Sequence, residues 1–181
     1  MENIKYSGKI IEVIEEQYGN KTYEIARRSP GVRALIIYKN KILLSREFRT
    51  ELNDYDYRLP GGKVFDTLSE YRTYANKDLT EFAKQAVIKE CYEEVGLKIK
   101  DPQLIKISKA GATIEWDLFY FLIEDFVKDV QHLEDGEDIT FAWYTYDQVQ
   151  DLCIKNQIQE DRSVAVLLSF LISNNNIKES K

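Results

Sequence analysis

Histidine and cysteine are scarce in this sequence of 181 residues, which contains one histidine and two cysteines. Serine and cysteine hydrolases normally need a histidine-type base, and the only candidate, His132, lies in an acidic stretch that predicts a solvated loop. Cys91 and Cys153 are far apart and form no paired spacing, so we expect neither a disulfide framework nor a thiolate metal site. We interpret both cysteines as small core residues.

Long apolar runs are absent as well. No stretch approaches the roughly 18 unbroken apolar residues of a membrane span, and residues 1–16 lack the basic-then-apolar build of a secretion signal. The formal charge of −6 repels polyanions, which argues against nucleic-acid binding as the main role. We therefore expect a cytoplasmic protein without membrane or nucleic-acid partners. The hydrophobic content of 44% is enough for a single core and one domain.

Positive charge is concentrated in one part of the chain. Six of the eight arginines lie between residues 27 and 58, namely Arg27, Arg28, Arg33, Arg46, Arg49 and Arg58. As a group they favour recognition of phosphate or carboxylate, although any one of them could instead lie on a solvated strand face. A P-loop does not supply the phosphate site, because Tyr57 and Val64 stand where that motif needs glycine and serine or threonine.

The apolar pattern predicts strands followed by helices. A hairpin is expected over 8–14 and 21–27 around Gly19-Asn20, with further strands over 32–38, 41–48, 104–108, 115–123 and 139–144. The polar composition of 67–77 predicts an exposed loop. Helices are expected over 79–95, 146–155 and 161–173, the first with a capping box from Asp78 and Glu81 and a stop at Gly96.

The helix predicted over 79–95 carries carboxylates on its apolar side. At about 100° per residue, Leu79, Phe82, Ala83, Ala86 and Val87 share one face, and its continuation brings Glu90, Glu93 and Glu94. Like charges at these spacings destabilise one another, and partial burial increases the effect. A hard divalent cation with oxygen ligands would relieve the repulsion. The alternative is a solvated acidic patch, which would instead place the glutamates opposite the apolar stripe.

These residues match a family signature. Gly62, Glu81 and the run Lys89-Glu90-Cys91-Tyr92-Glu93-Glu94-Val95-Gly96-Leu97 closely resemble the Nudix box. The resemblance implies an α+β Nudix fold, in which a mixed β-sheet lies between α-helices. It also implies that Mg²⁺, with Mn²⁺ as a substitute, is held by carboxylates and by a backbone carbonyl near the leading glycine. The implied metal ligands are Gly61, Glu90, Glu93 and Glu94.

Other roles also follow from the resemblance to the box. Glu93 is implied as a catalytic residue in addition to its ligand role, and Glu81 and Lys89 as structural residues that pair with each other. Lys89 replaces the arginine that is usual in the family, and lysine lacks the bidentate fork of arginine. The gap between Gly62 and Glu81 is longer than in the family, so we interpret 65–77 as an insertion beside the substrate mouth.

The chain resembles the ADP-ribose pyrophosphatase branch outside the box as well. The matching segments are Tyr23-Glu24-Ile25, Arg27-Arg28, Gly31-Val32-Arg33-Ala34-Leu35 and Arg58-Leu59-Pro60-Gly61-Gly62. This similarity implies a homodimer in which the strand segment 1–28 is exchanged, followed by a hydrolase domain at 29–181. It implies substrate binding by Arg28, Arg49, Arg58 and Gly62, and an acidic loop at 134–138 in which we single out Glu137 as catalytic. The chain departs from the branch at Lys109-Ala110-Gly111, where Ser-Pro-Gly is common.

The function expected from the sequence is Mg²⁺-dependent hydrolysis of a diphosphate linkage. The substrate would be a nucleoside diphosphate derivative such as ADP-ribose or a nucleotide sugar, and the products two monophosphates. Two alternatives stay open. One is a nucleoside triphosphate pyrophosphohydrolase. The other is a noncatalytic domain that senses a nucleotide sugar, for which the sequence shows no added helix-turn-helix or basic tail.

Overall fold

A computed structural model describes residues 3–75, 77–133, 136 and 138–179. Their strands are β1 (Asn3–Ser7), β2 (Ile11–Tyr18), β3 (Lys21–Arg28), β4 (Gly31–Tyr38), β5 (Lys41–Arg49), β6 (Asp54–Arg58), β7 (Leu97–Ile99), β8 (Gln103–Ser108), β9 (Ile114–Glu115), β10 (Leu118–Ile123), β11 (Phe126–Lys128) and β12 (Ile139–Thr145). Their helices are α1 (Leu68–Tyr74), α2 (Thr80–Val95), α3 (Tyr146–Ile154) and α4 (Asp161–Glu179). No helix of this described part is long and apolar enough to cross a membrane.

The N-terminal strands form a sheet of their own, in the order β1-β2-β3-β9. The predicted hairpin around Gly19-Asn20 is confirmed, since Tyr18 pairs with Lys21 across the turn and Gly19 has a positive φ of 64°. The first hairpin strand begins at Ile11 rather than at residue 8. Strand β1 was not expected, and it pairs antiparallel with β2.

The second sheet lies between helices, as the resemblance implied. Its order is β12-β5-β4-β10-β8, with β6 beside β5, and the parallel β4–β10 pair makes the sheet mixed. Side chains alternate across β4, so that Ala34 and Ile36 pack with α2 while Leu35 packs with α3 and α4. The predicted α+β class and the mixed sheet between helices are therefore confirmed.

Helix α2 ends where the sequence predicts but begins differently. Gly96 has φ 60° and ψ 42°, and its amide donates to the carbonyl of Cys91, which is a left-handed helix stop. The expected capping box is wrong, because Leu79 occupies the N-cap position and makes no side-chain cap bond. Asp78 instead accepts a hydrogen bond from the amide of Thr80 at 2.9 Å. Asp78 thus lies one residue before the N-cap, whereas the sequence predicted it as the N-cap itself.

The loop predicted at 67–77 is also wrong, because much of it is helix α1. Phe65, Leu68 and Tyr71 are 3%, 3% and 6% exposed and form a separate small core. Leu68 and Tyr71 lie three residues apart on one side of α1, and the ring of Phe65, which precedes the helix, stacks on Tyr71 at a centroid distance of 5.9 Å. Thr67 caps the helix by accepting from the amide of Glu70 at 3.2 Å. The prediction failed because the polar neighbours concealed this apolar period.

Helix α1 and Phe65 before it connect the N-terminal sheet with helix α2. The hydroxyl of Tyr71 donates to Glu115 at 2.9 Å, and Arg72 pairs with the fully buried Glu12 of β2. On its other side, the ring of Phe65 packs against Phe82 of α2 at a centroid distance of 5.4 Å. Phe65 and helix α1 therefore form part of the packed structure.

Candidate active site

A pocket of about 300 Å³ lies where helix α2, strands β4 to β6 and the loop after Pro60 meet. Its charged lining comprises the carboxylates Glu47, Asp66, Glu90, Glu93 and Glu94 and the cations Arg28, Arg33, Arg49, Arg58, Lys63 and Lys89. Gly61, Gly62 and Trp116 also line the pocket. Acidic and basic groups thus meet in one concave site, as a site for a cation and a phosphate group requires.

Most residues singled out in the sequence line this pocket. The metal-ligand candidates Gly61, Glu90, Glu93 and Glu94 are there, together with Arg28, Arg49, Arg58, Gly62 and Lys89. Glu81 is exposed and does not line it. Glu137, like Glu134 and Asp135, lies outside the described residues.

A second, larger cavity of about 480 Å³ lies beside α1 and β9. Ile25, Tyr71, Lys109 and Phe119 are among its lining residues. None of the site residues predicted from the sequence lines it. The smaller pocket is therefore the candidate active site.

The two glycines let the loop lie close to β4 and α2. The amide of Val32 donates to the carbonyl of Gly62 at 3.0 Å, which docks the loop on β4. Gly61 has a φ of 147°, and a Cβ there would collide with the carbonyl of Val32. A Cβ on Gly62 would overlap the carboxylate of Glu90. The close approach to β4 therefore requires glycine at Gly61, while a side chain at Gly62 would displace the carboxylate of Glu90.

The carboxylate of Glu94 is held under electrostatic strain. Its Oε2 accepts a hydrogen bond from the amide of Gly61 at 2.9 Å. Burial, and then the negative charge of Glu90, raise the pKa of Glu94 to about 8, while the hydrogen bond from Gly61 acts in the opposite direction. The ionised form therefore needs a positive partner, which is what a metal ligand in this position would have.

The oxygen donors of the pocket fit a hard cation such as Mg²⁺. Within the described ranges, no three histidine, cysteine, aspartate or glutamate side chains are grouped closely enough to hold a metal by themselves. Mg²⁺ commonly binds through one or two carboxylates and completes its shell with water and substrate phosphate, so a closed protein cage is not required. Glu90, Glu93 and Glu94 are the residues that would supply those carboxylates.

Lys89 and Glu81 each contact another side chain of α2. The ammonium group of Lys89 lies 3.0 Å from Glu93, four residues further along α2. Glu81 accepts a hydrogen bond from the side chain of Gln85 at 2.9 Å. Lys89 thus places a positive charge beside one of the candidate metal ligands.

Two buried arginines hold distant parts of the chain together, and one of these, Arg33, also lines the pocket. Arg27 is buried and donates to Glu115 at 2.8 Å, and Arg33 makes two bonds of 2.8 Å to Glu160. These charge-assisted bonds connect distant parts of the chain. Arg46 lies over the ring of Tyr55 at 3.8 Å and does not line the pocket.

Two further arginines of the pocket are already paired with carboxylates. Arg49 contacts Glu47 at 2.9 Å and Glu51 at 2.7 Å. Arg58 has Glu47, Asp56 and Glu160 between 3.8 and 4.0 Å away. By contrast, Arg28 lies over the ring of Trp116, with its guanidinium carbon 4.3 Å from the centroid.

Lys63, Glu47 and Trp116 line the pocket but were not predicted from the sequence. Lys63 follows the glycine pair directly, so its position beside the box could have indicated a role. Glu47 lies on β5 near Arg49 and Arg58, and only the sheet brings these three together. Trp116 reaches the pocket because β9 pairs with β3, a contact across 88 residues between Arg27 and Glu115 that no local pattern predicts.

Comparisons with known proteins agree with this geometry. A family model described as NUDIX domain matches residues 27–166. A solved structure described as an ADP compounds hydrolase is similar with a TM-score of 0.65 and 17% sequence identity, over 98% of this chain and 95% of that chain. At this identity the structural likeness shows the fold alone. No curated protein matches the sequence.

Proposed function

The chain belongs to the NUDIX domain family of hydrolases, and from that premise we propose that it cleaves a diphosphate linkage with the help of Mg²⁺. The proposed substrate is a nucleoside diphosphate derivative, either ADP-ribose or a nucleotide sugar, and the products are two monophosphates. The observation that carries the proposal is the meeting of Glu90, Glu93 and Glu94 with Arg28 and Lys63 in one pocket. Carboxylates suit the cation, and the basic groups suit the phosphates.

The chain's own groups have distinct tasks in this reaction. Glu90, Glu93 and Glu94 would hold Mg²⁺, or Mn²⁺ in its place, with the carbonyl of Gly61 as a further ligand. The bound ion supplies neutralisation of the diphosphate and an attacking water of lowered pKa. Gly62 keeps the loop close enough to α2 for these donors to face one another, while Arg28, Arg49 and Arg58 orient the phosphate groups.

The proton-accepting group is assigned to the acidic loop at 134–138, with Glu137 as the first candidate. Ile139, the first residue of β12, pairs with Glu47, which lines the candidate active site. Glu93 is the second candidate for a catalytic carboxylate. Its carboxylate lies 3.0 Å from the ammonium group of Lys89 and lines the candidate active site.

We also propose a homodimer formed through residues 1–28, in the cytoplasm. Apolar side chains on this segment are unusually exposed, with Ile4 at 49%, Tyr6 at 57% and Ile10 at 55%. Adjacent exposed apolar groups indicate a surface that another chain covers. The cytoplasmic location rests on the sequence pattern alone.

A hydrolysis panel tests the proposed substrate class. The panel contains ADP-ribose, nucleotide sugars, dinucleoside polyphosphates, NADH and the common nucleoside triphosphates, and the phosphate products are identified for each. We expect the highest kcat/KM for ADP-ribose or a nucleotide sugar, with monophosphates as products. Triphosphates that give pyrophosphate at much higher kcat/KM would show that the assigned substrate class is wrong, although the metal chemistry would stand. Binding without hydrolysis across the panel would favour a sensor domain.

A further inference from the structure

Trp116 has two arginine side chains against its ring. The guanidinium carbons of Arg28 and Arg162 lie 4.3 Å and 4.2 Å from the centroid. Indole is the aromatic side chain that attracts cations most strongly. Arg162 also donates to the main-chain carbonyl of Trp116 at 2.8 Å, so it contacts both the ring and the backbone of this residue.

Arg28 differs from the other arginines of the candidate active site. Arg33, Arg49 and Arg58 each have a carboxylate within 4.0 Å. No carboxylate of the described part of the chain lies within that distance of Arg28. Burial, and then the positive charges of Arg33 and Arg162, lower the pKa of Arg28, while the negative charge of Glu160 acts in the opposite direction. An anion beside Arg28 would relieve the net repulsion between these cations.

The fold places Trp116 beside the loop that carries the two glycines. Strand β9 pairs in parallel with β3 through Arg27 and Glu115, so the residues that follow, Arg28 and Trp116, emerge side by side. The indole nitrogen of Trp116 would lie 3.7 Å from a Cβ at Gly31, and Gly31 pairs with Lys63. Trp116, Arg28 and Lys63 all line the candidate active site.

We propose that Trp116 and Arg162 are positioning residues that hold the guanidinium of Arg28 for a phosphate group of the substrate. The ring of Trp116 serves as the support for Arg28 and is not the surface on which the nucleobase stacks, because guanidinium groups already lie against it. Arg162 acts one step further away, by fixing the backbone and the ring of Trp116. This inference rests on the proposed function, since it names how that site recognises the diphosphate.

Two simple probes separate phosphate binding from base stacking. Inorganic pyrophosphate carries phosphate without a base, and adenosine carries a base without phosphate. We would measure their dissociation constants by calorimetry at fixed Mg²⁺ for the wild type and for Trp116→Ala, Trp116→Phe, Arg162→Gln and Arg28→Gln. Trp143→Phe is the matched control, because Trp143 packs with Tyr38 and Phe126 and does not line the site.

The expected pattern follows from the strength of cation–aromatic contacts. Trp116→Ala should weaken pyrophosphate binding about tenfold and leave adenosine binding unchanged, while Trp116→Phe should retain most of the affinity. Arg162→Gln should weaken pyrophosphate by about threefold, and this effect should vanish when Arg28 is already glutamine. With the diphosphate derivative that the panel identifies, Trp116→Ala should raise KM far more than it lowers kcat.

Other outcomes overturn the inference. One is pyrophosphate binding by Trp116→Ala within twofold of the wild type, and another is a selective loss of adenosine binding, which would make the ring a base-stacking surface. If Trp116→Ala does not fold, the test uses Arg162→Gln, Arg28→Gln and the double variant. Additive effects of the two substitutions on pyrophosphate affinity would contradict the inference. Failure of the proposed function is distinguishable: the wild type would then hydrolyse nothing in the panel, yet its pyrophosphate affinity would still depend on Trp116 and Arg28.

Discussion

Replacing Glu94 by glutamine removes one negative charge from the candidate active site and keeps the size of the side chain. The glutamine oxygen can still accept the hydrogen bond that the amide of Gly61 donates at 2.9 Å. The substitution therefore tests the charge with little disturbance of the loop. For a metal ligand it should abolish most of the activity, and for a merely structural residue it should not.

The raised pKa of Glu94 gives the size of the expected effect on stability. In the metal-free protein the pKa of Glu94 is raised from 4.5 to about 8 by burial and by Glu90, with Glu47 of β5 adding repulsion and Arg33 of β4 opposing it. One pKa unit corresponds to 1.36 kcal/mol, so the ionised form is disfavoured by about 5 kcal/mol. Because the folded state binds this proton more tightly than the unfolded chain, metal-free stability should fall as the pH rises from about 4.5 to about 8.

Glu94→Gln should remove that destabilisation. With EDTA at pH 8, we expect the free energy of unfolding of the variant to equal or exceed the wild-type value, by up to about 4 kcal/mol. With Mg²⁺ at a hundred times its dissociation constant, the wild type should gain about 2.7 kcal/mol and the variant much less. Its kcat in Mg²⁺ should fall by at least about a hundredfold, since even partners of metal ligands contribute that much.

Urea unfolding with EDTA and with Mg²⁺ measures the metal-free stability and the stabilisation by Mg²⁺, and steady-state rates measure kcat. Glu124→Gln is the control, because it makes the same change of charge at an exposed position away from the pocket. A Glu94→Gln variant with near wild-type kcat, or with undiminished stabilisation by Mg²⁺, would refute the metal site.

Three further predictions test other parts of the structure. Glu137→Gln should lower kcat more than it weakens substrate binding, and a change in KM alone would make its role positional and move the assignment to Glu134 or Asp135. Light scattering at micromolar concentration should give the mass of two chains, and the mass of one chain would contradict the dimer. Leu68→Ala should lower the free energy of unfolding by about 2–5 kcal/mol, because the side chain is 3% exposed; an effect below about 0.5 kcal/mol, the range of ordinary surface substitutions, would mean that α1 is not packed as described.

Local patterns were enough to predict much of the fold. The apolar runs at 32–38 and 41–48 correspond to β4 and β5, and Gly96 ends α2 in the left-handed conformation. Helix α1 was missed because Phe65, Leu68 and Tyr71 lie within a polar segment, and their burial depends on Phe82 of another helix. Its contacts are tertiary, so composition alone gave the wrong prediction.

The site was predictable to the extent that it lies on one helix and one loop. Glu90, Glu93 and Glu94 are neighbours in sequence, and their position on the apolar side of α2 indicated a cation site. The arginines were harder, because Arg33 is engaged by Glu160, which lies 127 residues away along the chain. Trp116 was missed for the same reason, since only the pairing of β3 with β9 brings it to Arg28.

The central claim is that this chain hydrolyses the diphosphate linkage of a nucleoside diphosphate derivative by a metal-dependent attack of water. The most direct measurement is the reaction of ADP-ribose in ¹⁸O-labelled water, with the products analysed by mass spectrometry in Mg²⁺ and in EDTA. We predict AMP and ribose 5-phosphate, with one ¹⁸O atom in one of the two monophosphates, and no products in EDTA. Release of inorganic phosphate in place of the two monophosphates, or the same rate of cleavage in EDTA, would contradict the claim.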